Sequence, residues 1–153
     1  MGTLRTTLFA LLAGLCAAIF STALFAEDRA TPEDAKAMAT RAAEFLKADG
    51  PEKAFAAFND PHSIFHDRDL YVVVQNREGV LQAHGTTPAL VGKDISGLKD
   101  VDGKSFVKDI IAIESMGWVH YKWKNPTTNA VEPKSLYVIR VGDYTVDVGA
   151  YEK

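Results

Sequence analysis

Three segments near the C-terminus decide the fold: Trp118-Val-His-Tyr-Lys-Trp-Lys124, Ser135-Leu-Tyr-Val-Ile-Arg-Val141 and Tyr144-Thr-Val-Asp-Val148. Bulky and polar residues alternate in the first and third segments, and β-branched residues favour a strand in the second. Turn-forming residues at 125–129 and at 142–143 separate the three segments. The sequence therefore predicts an antiparallel meander, which can pack one face on a core and leave the other for a different role.

The residues before this meander predict two helices, a hairpin, a long ordered loop and a short helix. Thr31 is a suitable helix cap, Pro32 fits the first helical position, and an apolar stripe follows at helical spacing. The apolar segment at 70–75 reads as a central strand. The predicted bounds are helices at 31–49, 52–58 and 105–115, strands at 70–75 and 80–84, and a loop at 85–103.

The first 26 residues have the pattern of a secretory signal peptide. Arg5 gives a short positive start, residues 8–20 are apolar apart from one glycine, and small residues up to Ala26 offer a cleavage site. The alternative is an uncleaved inner-membrane anchor, because residues 8–26 are almost long enough to span a bilayer. We expect export, with a mature domain at 27–153 in the periplasm or outside the cell.

Composition excludes several classes of function. Removing 26 residues from 153 leaves 127, enough for one domain with a modest core. The only cysteine, Cys16, lies in the signal, so the mature chain has no disulfide, thiol nucleophile or thiolate metal site. Without Arg5 the mature chain has 16 basic and 20 acidic residues and no basic cluster. Nucleic acid and anionic membrane surfaces are therefore not expected as partners.

A series of short motifs resembles the single Cache domains, second type, of bacterial extracytoplasmic sensors. The resemblance extends from Thr31 to the C-terminus and is specific because the motifs occur in the right order. The motifs are Phe65-His-Asp-Arg-Asp-Leu-Tyr-Val-Val-Val74, Ala83-His-Gly85, Leu90-Val-Gly-Lys-Asp94, Lys99-Asp-Val-Asp-Gly-Lys104, Gly117-Trp-Val-His-Tyr-Lys-Trp123, Asn125-Pro126, Glu132-Pro-Lys134 and Val148-Gly-Ala-Tyr151.

This resemblance implies an α+β, PAS-like fold: a five-stranded antiparallel sheet, a long N-terminal helix and a small-molecule pocket on one face. Members of the family bind small organic acids such as acetate, propionate, pyruvate or lactate, usually as the sensing part of a chemoreceptor or histidine kinase. No second transmembrane segment or signalling domain follows Lys153. We therefore expect a sensor domain that is not an enzyme and has no output domain of its own.

Five residues are candidates for binding such an acid: Lys134, Tyr137, Tyr121, Trp118 and His84. A small carboxylate needs a cation and a few neutral donors in a mostly apolar cleft, where charge-assisted hydrogen bonds outweigh the loss of water. On an ideal strand Trp118 and Tyr121 point to opposite faces, as do Lys134 and Tyr137. Either a bulge intervenes, or only one residue of each pair lines the pocket.

Other chemistries have weaker support. Asp100-Val-Asp-Gly103 opens like a calcium loop but lacks the remaining ligands, so we expect a turn. His62 and His66 have metal-ligand spacing, yet Pro61 argues against a helix there, and we expect no metal and no cofactor. The alternatives are a ligand-independent module that docks on a membrane sensor or forms a homodimer, and a small hydrolase or isomerase built from histidines and aspartates.

Overall fold

The computed structural model describes residues 29–152, so the signal-peptide prediction lies outside the described residues. None of the helices in this range is long and apolar enough to cross a membrane. The helices are α1 (Pro32–Asp49), α2 (Pro51–Asn59) and α3 (Phe106–Ile111), with a 3-10 turn at Pro88–Leu90; the strands are β1 (His66–Asp67), β2 (Leu70–Asn76), β3 (Leu81–His84), β4 (Met116–Lys124), β5 (Val131–Val141) and β6 (Tyr144–Tyr151).

The strands form one antiparallel sheet in the order β1-β2-β6-β5-β4, and β3 also pairs with β2. The predicted meander is confirmed: β4 pairs with β5, and β5 pairs with β6. The predicted α+β class is also confirmed, although the sheet has six strands where five were expected. The additional strand is β1, which has two residues and is too short to show an alternating pattern in the sequence.

Helix α1 begins and ends where the sequence places its signals. The Thr31 side chain accepts from the Asp34 amide while the Asp34 carboxylate accepts from the Thr31 amide, which completes a capping box. Gly50 ends the helix with a φ of 81°, a conformation that favours glycine. The stripe of small residues, including Ala35, Ala39 and Ala42, is buried, which lets α1 lie close to β5 and β6.

The loop predicted at 85–103 is ordered over the opposite side of the sheet. Backbone hydrogen bonds tie Gly92 and Lys93 to Leu81 at 2.8 and 2.9 Å. The turn predicted at Asp100 is confirmed, because Asp100 Oδ1 accepts from the amides of Asp102 and Lys104. Helix α3 is shorter than predicted and ends at Ile111.

The sheet therefore has two differently covered faces. We call the side packed against α1 and α2 the helix face, and the side covered by residues 85–105 and α3 the loop face. Strand alternation assigns each residue: on β6, Val146 and Val148 belong to the helix-face core, whereas Asp147 lies on the loop face.

Candidate ligand-binding pocket

A small cavity lies on the loop face, beneath the ordered loop. Its interior volume open to water-sized spheres is about 50 Å³. One water needs roughly 10–15 Å³ of cavity, so this space can hold a molecule larger than a single water. Apolar walls come from Leu81, Leu90, Ile95, Leu98, Phe106 and Leu136, and polar groups from Tyr71, Gln75, His84, Tyr121 and Asp147.

Lys134 is buried and is held by two tyrosines, of which Tyr71 lines this cavity. Its side chain is 2% exposed. The Nζ atom donates to the hydroxyl of Tyr71 at 2.9 Å and to that of Tyr151 at 3.2 Å. Gly149 makes this position possible, because a Cβ on Gly149 would collide with the Cε of Lys134. The lysine is therefore a buried cation on a fixed stem, and Tyr71 connects it to the cavity wall.

Among the described residues, the Lys134 ammonium makes fewer hydrogen bonds than it has N–H bonds. A lysine ammonium has three N–H bonds, and within residues 29–152 two of them find acceptors. The Tyr151 hydroxyl donates to the Lys124 carbonyl at 3.0 Å, so Tyr71 is the donor in its 3.3 Å contact with Tyr151. One ammonium N–H and the Tyr71 O–H can therefore turn to a carboxylate, which is a stronger acceptor than a phenol.

The two tyrosines respond differently to the buried charge. Burial opposes ionisation of Tyr71, but the charge and hydrogen bond of Lys134, together with hydrogen bonds to Tyr151 and Thr86, outweigh it and lower the Tyr71 pKa below its ordinary value. At Tyr151 burial dominates and, together with the neighbouring Tyr71, raises the pKa. The ammonium therefore acts most strongly on Tyr71, the tyrosine that lines the cavity.

His84 is a neutral donor at the mouth of the same cavity. Its ring stacks on Tyr71 with centroids 5.2 Å apart. Burial, reinforced by the charge of Lys134, lowers the His84 pKa to about 4. The Thr87 amide donates to Nδ1 at 3.1 Å, so the proton of the neutral ring is on Nε2. This tautomer leaves an N–H that can donate to a ligand.

A second set of polar side chains lies on the loop face: Thr145 and Asp147 on β6, and Gln75 on β2. The Gln75 side-chain amide donates to Asp147 Oδ2 at 2.5 Å and to the Thr145 hydroxyl at 2.7 Å. Asp147 is 1% exposed, and its Oδ1 has no hydrogen-bond partner in the part of the chain that the structure describes. Burial raises the Asp147 pKa to about 7.

The structure does not bring all five sequence-predicted residues together. Tyr121 and His84 line the cavity, and Lys134 reaches it through Tyr71. Trp118 and Tyr137 lie on the helix face instead, with their rings 4.8 Å apart. No bulge interrupts the β4–β5 register, so residues three apart on one strand point to opposite faces.

Sequence reasoning missed three polar residues that line the pocket, Tyr71, Gln75 and Asp147, and also Tyr151, which holds Lys134. Tyr71 lies within an apolar strand, and such a position predicts a core residue. The signal for Asp147 was present, since Thr145 and Asp147 alternate with valines in a strand at the centre of the sheet. Such alternation is typical of a solvent face, and only the cover by the long loop makes it a buried one.

The aspartates and histidines that could have supported catalysis or metal binding have other surroundings. Asp69 accepts from the Ala30 amide at 2.9 Å, and Asp67 pairs with Arg68 at 2.8 Å. Both carboxylates therefore hold the start of the domain together. Within residues 29–152 no three His, Cys, Asp or Glu side chains are placed to hold a metal ion.

Sequence comparison identifies the family of this fold and pocket. The family model described as Single Cache domain 2 matches residues 21–153. The chain belongs to this family. The resemblance seen in the short motifs is thereby confirmed. No curated protein matches the chain.

Three solved structures are similar to this Cache domain. A methyl-accepting chemotaxis protein from Vibrio parahaemolyticus has a TM-score of 0.68 at 22% identity, over 78% of this chain and 86% of that chain. A periplasmic sensor domain of a chemotaxis protein has a TM-score of 0.61 at 23% identity, over 79% and 90%. A Cache chemosensory domain described for carboxylic acid recognition has a TM-score of 0.62 at 22% identity, over 79% and 88%. At these identities the likeness shows the fold, and the predicted PAS-like α+β fold is confirmed.

Proposed function

We propose that this Cache domain is a sensor domain that binds a short carboxylic acid in the loop-face cavity and performs no chemical step. One observation carries the proposal: a buried Lys134 ammonium with an unused N–H is bonded to Tyr71, which lines an apolar cavity of about 50 Å³. The carboxylate accepts from Lys134 and from the Tyr71 hydroxyl, and His84 and Tyr121 supply further neutral donors. The apolar walls hold the short carbon chain.

Burial explains why a carboxylate is the matching ligand. An ammonium that has lost its water regains little from two phenol oxygens, whereas an anion in the cavity completes an ion pair. A cationic ligand would be repelled by Lys134, and a larger ligand would exceed the volume. The site therefore selects small anions by both charge and size.

The location and partners follow from the same family context. One similar structure is a periplasmic sensor domain of a chemotaxis protein, and another belongs to a methyl-accepting chemotaxis protein. We extend that setting to this chain as a periplasmic domain that reports to a chemoreceptor or histidine kinase. Glu132, two residues before Lys134, pairs with Arg29 at 2.7 Å, so a shift at the start of β5 reaches the segment before α1.

Affinity is bounded by the size of the ligand. An acid of about six non-hydrogen atoms gains at most about 1.5 kcal/mol per atom, which corresponds to roughly 9 kcal/mol and a micromolar Kd at best. We expect dissociation constants between micromolar and millimolar. A nanomolar Kd for such an acid in calorimetry would contradict the proposed ligand class.

The test is a thermal-shift screen of acetate, propanoate, pyruvate and lactate, followed by calorimetry of the best binder on Lys134→Met. Methionine keeps most of the apolar stem, so we expect the variant to fold and to bind about 10- to 150-fold more weakly, which corresponds to about 1.5–3 kcal/mol. The matched control is Lys36→Met, because Lys36 lies over the Tyr137 ring on the helix face. Equal binding by Lys134→Met and wild type would overturn the proposal.

A further inference from the structure

The pocket contains a hydrogen-bond acceptor that no group in residues 29–152 uses. Asp147 Oδ2 is occupied by the Gln75 amide, which also donates to Thr145. Asp147 Oδ1 is buried and has no partner among residues 29–152. A buried carboxylate oxygen without a donor is costly, and nearly all such atoms in folded proteins find a partner. Because Asp147 lines the cavity, a bound ligand can supply the missing donor.

The acceptor and the cation lie at different levels of the same cavity. The stem of Lys134 crosses β6 at Gly149, next to Tyr71 on β2. Asp147 is two residues from Gly149 on the same face and pairs with Val73, two residues from Tyr71. Two residues along a strand span about 7 Å. A ligand that reaches both groups therefore carries its carboxylate and its donor at opposite ends.

The surroundings of Asp147 favour a hydroxyl over an ammonium as that donor. A hydroxyl needs one acceptor for its single O–H, and one carboxylate oxygen is free. An ammonium needs three acceptors, and Asp147 Oδ2 and the Thr145 hydroxyl already accept from the Gln75 side-chain amide. The mostly apolar lining would leave an ammonium incompletely paired, and the Lys134 ammonium, which is bonded to Tyr71 of the same wall, would repel it.

We propose that the ligand is a three- or four-carbon carboxylic acid with a hydroxyl group on the carbon furthest from the carboxylate, and that Asp147 binds this hydroxyl. The inference rests on the proposed function, since the carboxylate end is the one that Lys134 and Tyr71 bind. Gln75 orients Asp147 by occupying Oδ2, so that Oδ1 faces the ligand hydroxyl. Asp147 then sets specificity among acids of equal size.

The experiment is calorimetry of the wild-type chain at a pH above 7, where Asp147 is ionised because its pKa is about 7, with four acids of the same carbon count: propanoate, 2-hydroxypropanoate, 3-hydroxypropanoate and 3-aminopropanoate. A hydrogen bond to a charged group corresponds to about tenfold or more in affinity. We expect 3-hydroxypropanoate to bind at least about fivefold more tightly than propanoate. The 2-hydroxy isomer should show no such gain, because its hydroxyl is beside the carboxylate, and the amino acid should bind most weakly.

Asp147→Leu removes the acceptor at nearly constant shape. We expect propanoate affinity to be retained and the preference for 3-hydroxypropanoate to fall below about twofold. The matched control is Asp143→Leu, at an exposed position on the β5–β6 turn, which should keep the preference. If Asp147→Leu does not fold, the wild-type comparison of the four acids still decides the inference.

The outcomes separate this inference from the proposed function. Lys134-dependent binding of propanoate with no gain for the 3-hydroxy acid would overturn the inference and leave the proposed function standing. Tightest binding of 3-aminopropanoate, or a preference that persists in Asp147→Leu, would also overturn it. Failure of all four acids to bind would overturn both.

Discussion

The two faces of the sheet carry the same strands but bury different chemistry. On the helix face, β6 contributes Val146, Val148 and Ala150, which pack against α1 in an apolar core. On the loop face the same strand contributes Asp147, which lines the cavity, and Tyr151, which accepts a hydrogen bond from Lys134. A packed apolar face stabilises a fold, whereas a buried polar face with a cavity costs stability and provides recognition. The comparison assigns stability to one face and ligand binding to the other.

The largest expected effect is on the helix face. Phe58 is 1% exposed and packs edge to face on Phe65 at 4.8 Å. Phe58→Ala should lower the free energy of unfolding by about 3–5 kcal/mol, because it opens a cavity in a packed core. Chemical denaturation measures the loss, and calorimetry on the remaining folded protein should give the wild-type Kd.

The control for this variant is Ile64→Ala, since Ile64 is 75% exposed and should change stability by less than about 0.5 kcal/mol. If Phe58→Ala instead abolishes acid binding at temperatures where it remains folded, the two faces are not separable in function.

The sequence predicted the helix face well because its determinants are local or periodic. The cap at Thr31, the alanine stripe and the alternation of β6 each follow from neighbours along the chain. The pocket depends on what covers the sheet, which periodicity does not report. Tyr71, Tyr151 and Lys134 converge only through strand pairing, with 63 residues separating Lys134 from Tyr71. The sequence also does not report which face of the sheet a side chain occupies, so Trp118 and Tyr137 were among the expected site residues. Strand alternation had left open which residue of each pair lines the pocket.

The pH dependence of stability is the next largest effect and belongs to the loop face. Asp147 has an ordinary pKa of 3.8 and a folded pKa of about 7, mainly from burial, so the folded state retains a proton that the unfolded chain releases. The contribution of Asp147 to the free energy of unfolding is complete below pH 4 and is lost as pH rises through 7. His84 has an ordinary pKa of 6.5 and a folded pKa of about 4, so its contribution is lost as pH falls from 6.5 through 4.

The opposing contributions of Asp147 and His84 to the pH dependence of the free energy of unfolding can be separated by substitution. The measurement is the free energy of unfolding in urea between pH 4 and 7, for each variant relative to wild type. As pH rises, this difference should increase for Asp147→Asn and decrease for His84→Gln. Each difference should reach about 1.4 kcal/mol per pH unit at its steepest. Charged neighbours of Asp147 on β5, Lys134 and Arg140, oppose the effect of burial but are weaker. An unchanged slope in Asp147→Asn would mean that this carboxylate is not buried in solution.

A smaller effect on stability and binding is expected from substitution of Gly149, because the Lys134 side chain passes over β6 at this residue. A Cβ at this position would meet the Lys134 side chain and lie 3.0 Å from Leu136 Cδ1. Gly149→Ala should therefore cost about 1–3 kcal/mol of stability through overpacking and should weaken acid binding by displacing the cation. Gly97→Ala is the control, because no atom lies within 4 Å of a Cβ there. Full acid affinity in Gly149→Ala would show that the lysine position is not fixed by this contact.

The smallest effect tests which tyrosine meets the ligand. Tyr71 lines the cavity and accepts from Lys134, while Tyr137 lies on the helix face beneath Lys36. Tyr71→Phe removes a neutral donor and should weaken binding of the acid found by the screen by about 0.5–1.5 kcal/mol, with little change in shape.

Tyr137→Phe is the matched control and should leave the Kd unchanged, whereas the sequence alone placed Tyr137 in the site. Both variants are titrated with the same acid at one pH and salt concentration, because the affinity of a charged ligand depends on both. A Kd that weakens in Tyr137→Phe and not in Tyr71→Phe would place the ligand on the helix face beside Trp118. Since α1 packs that face with buried alanines, such a result would require the helix to move on binding.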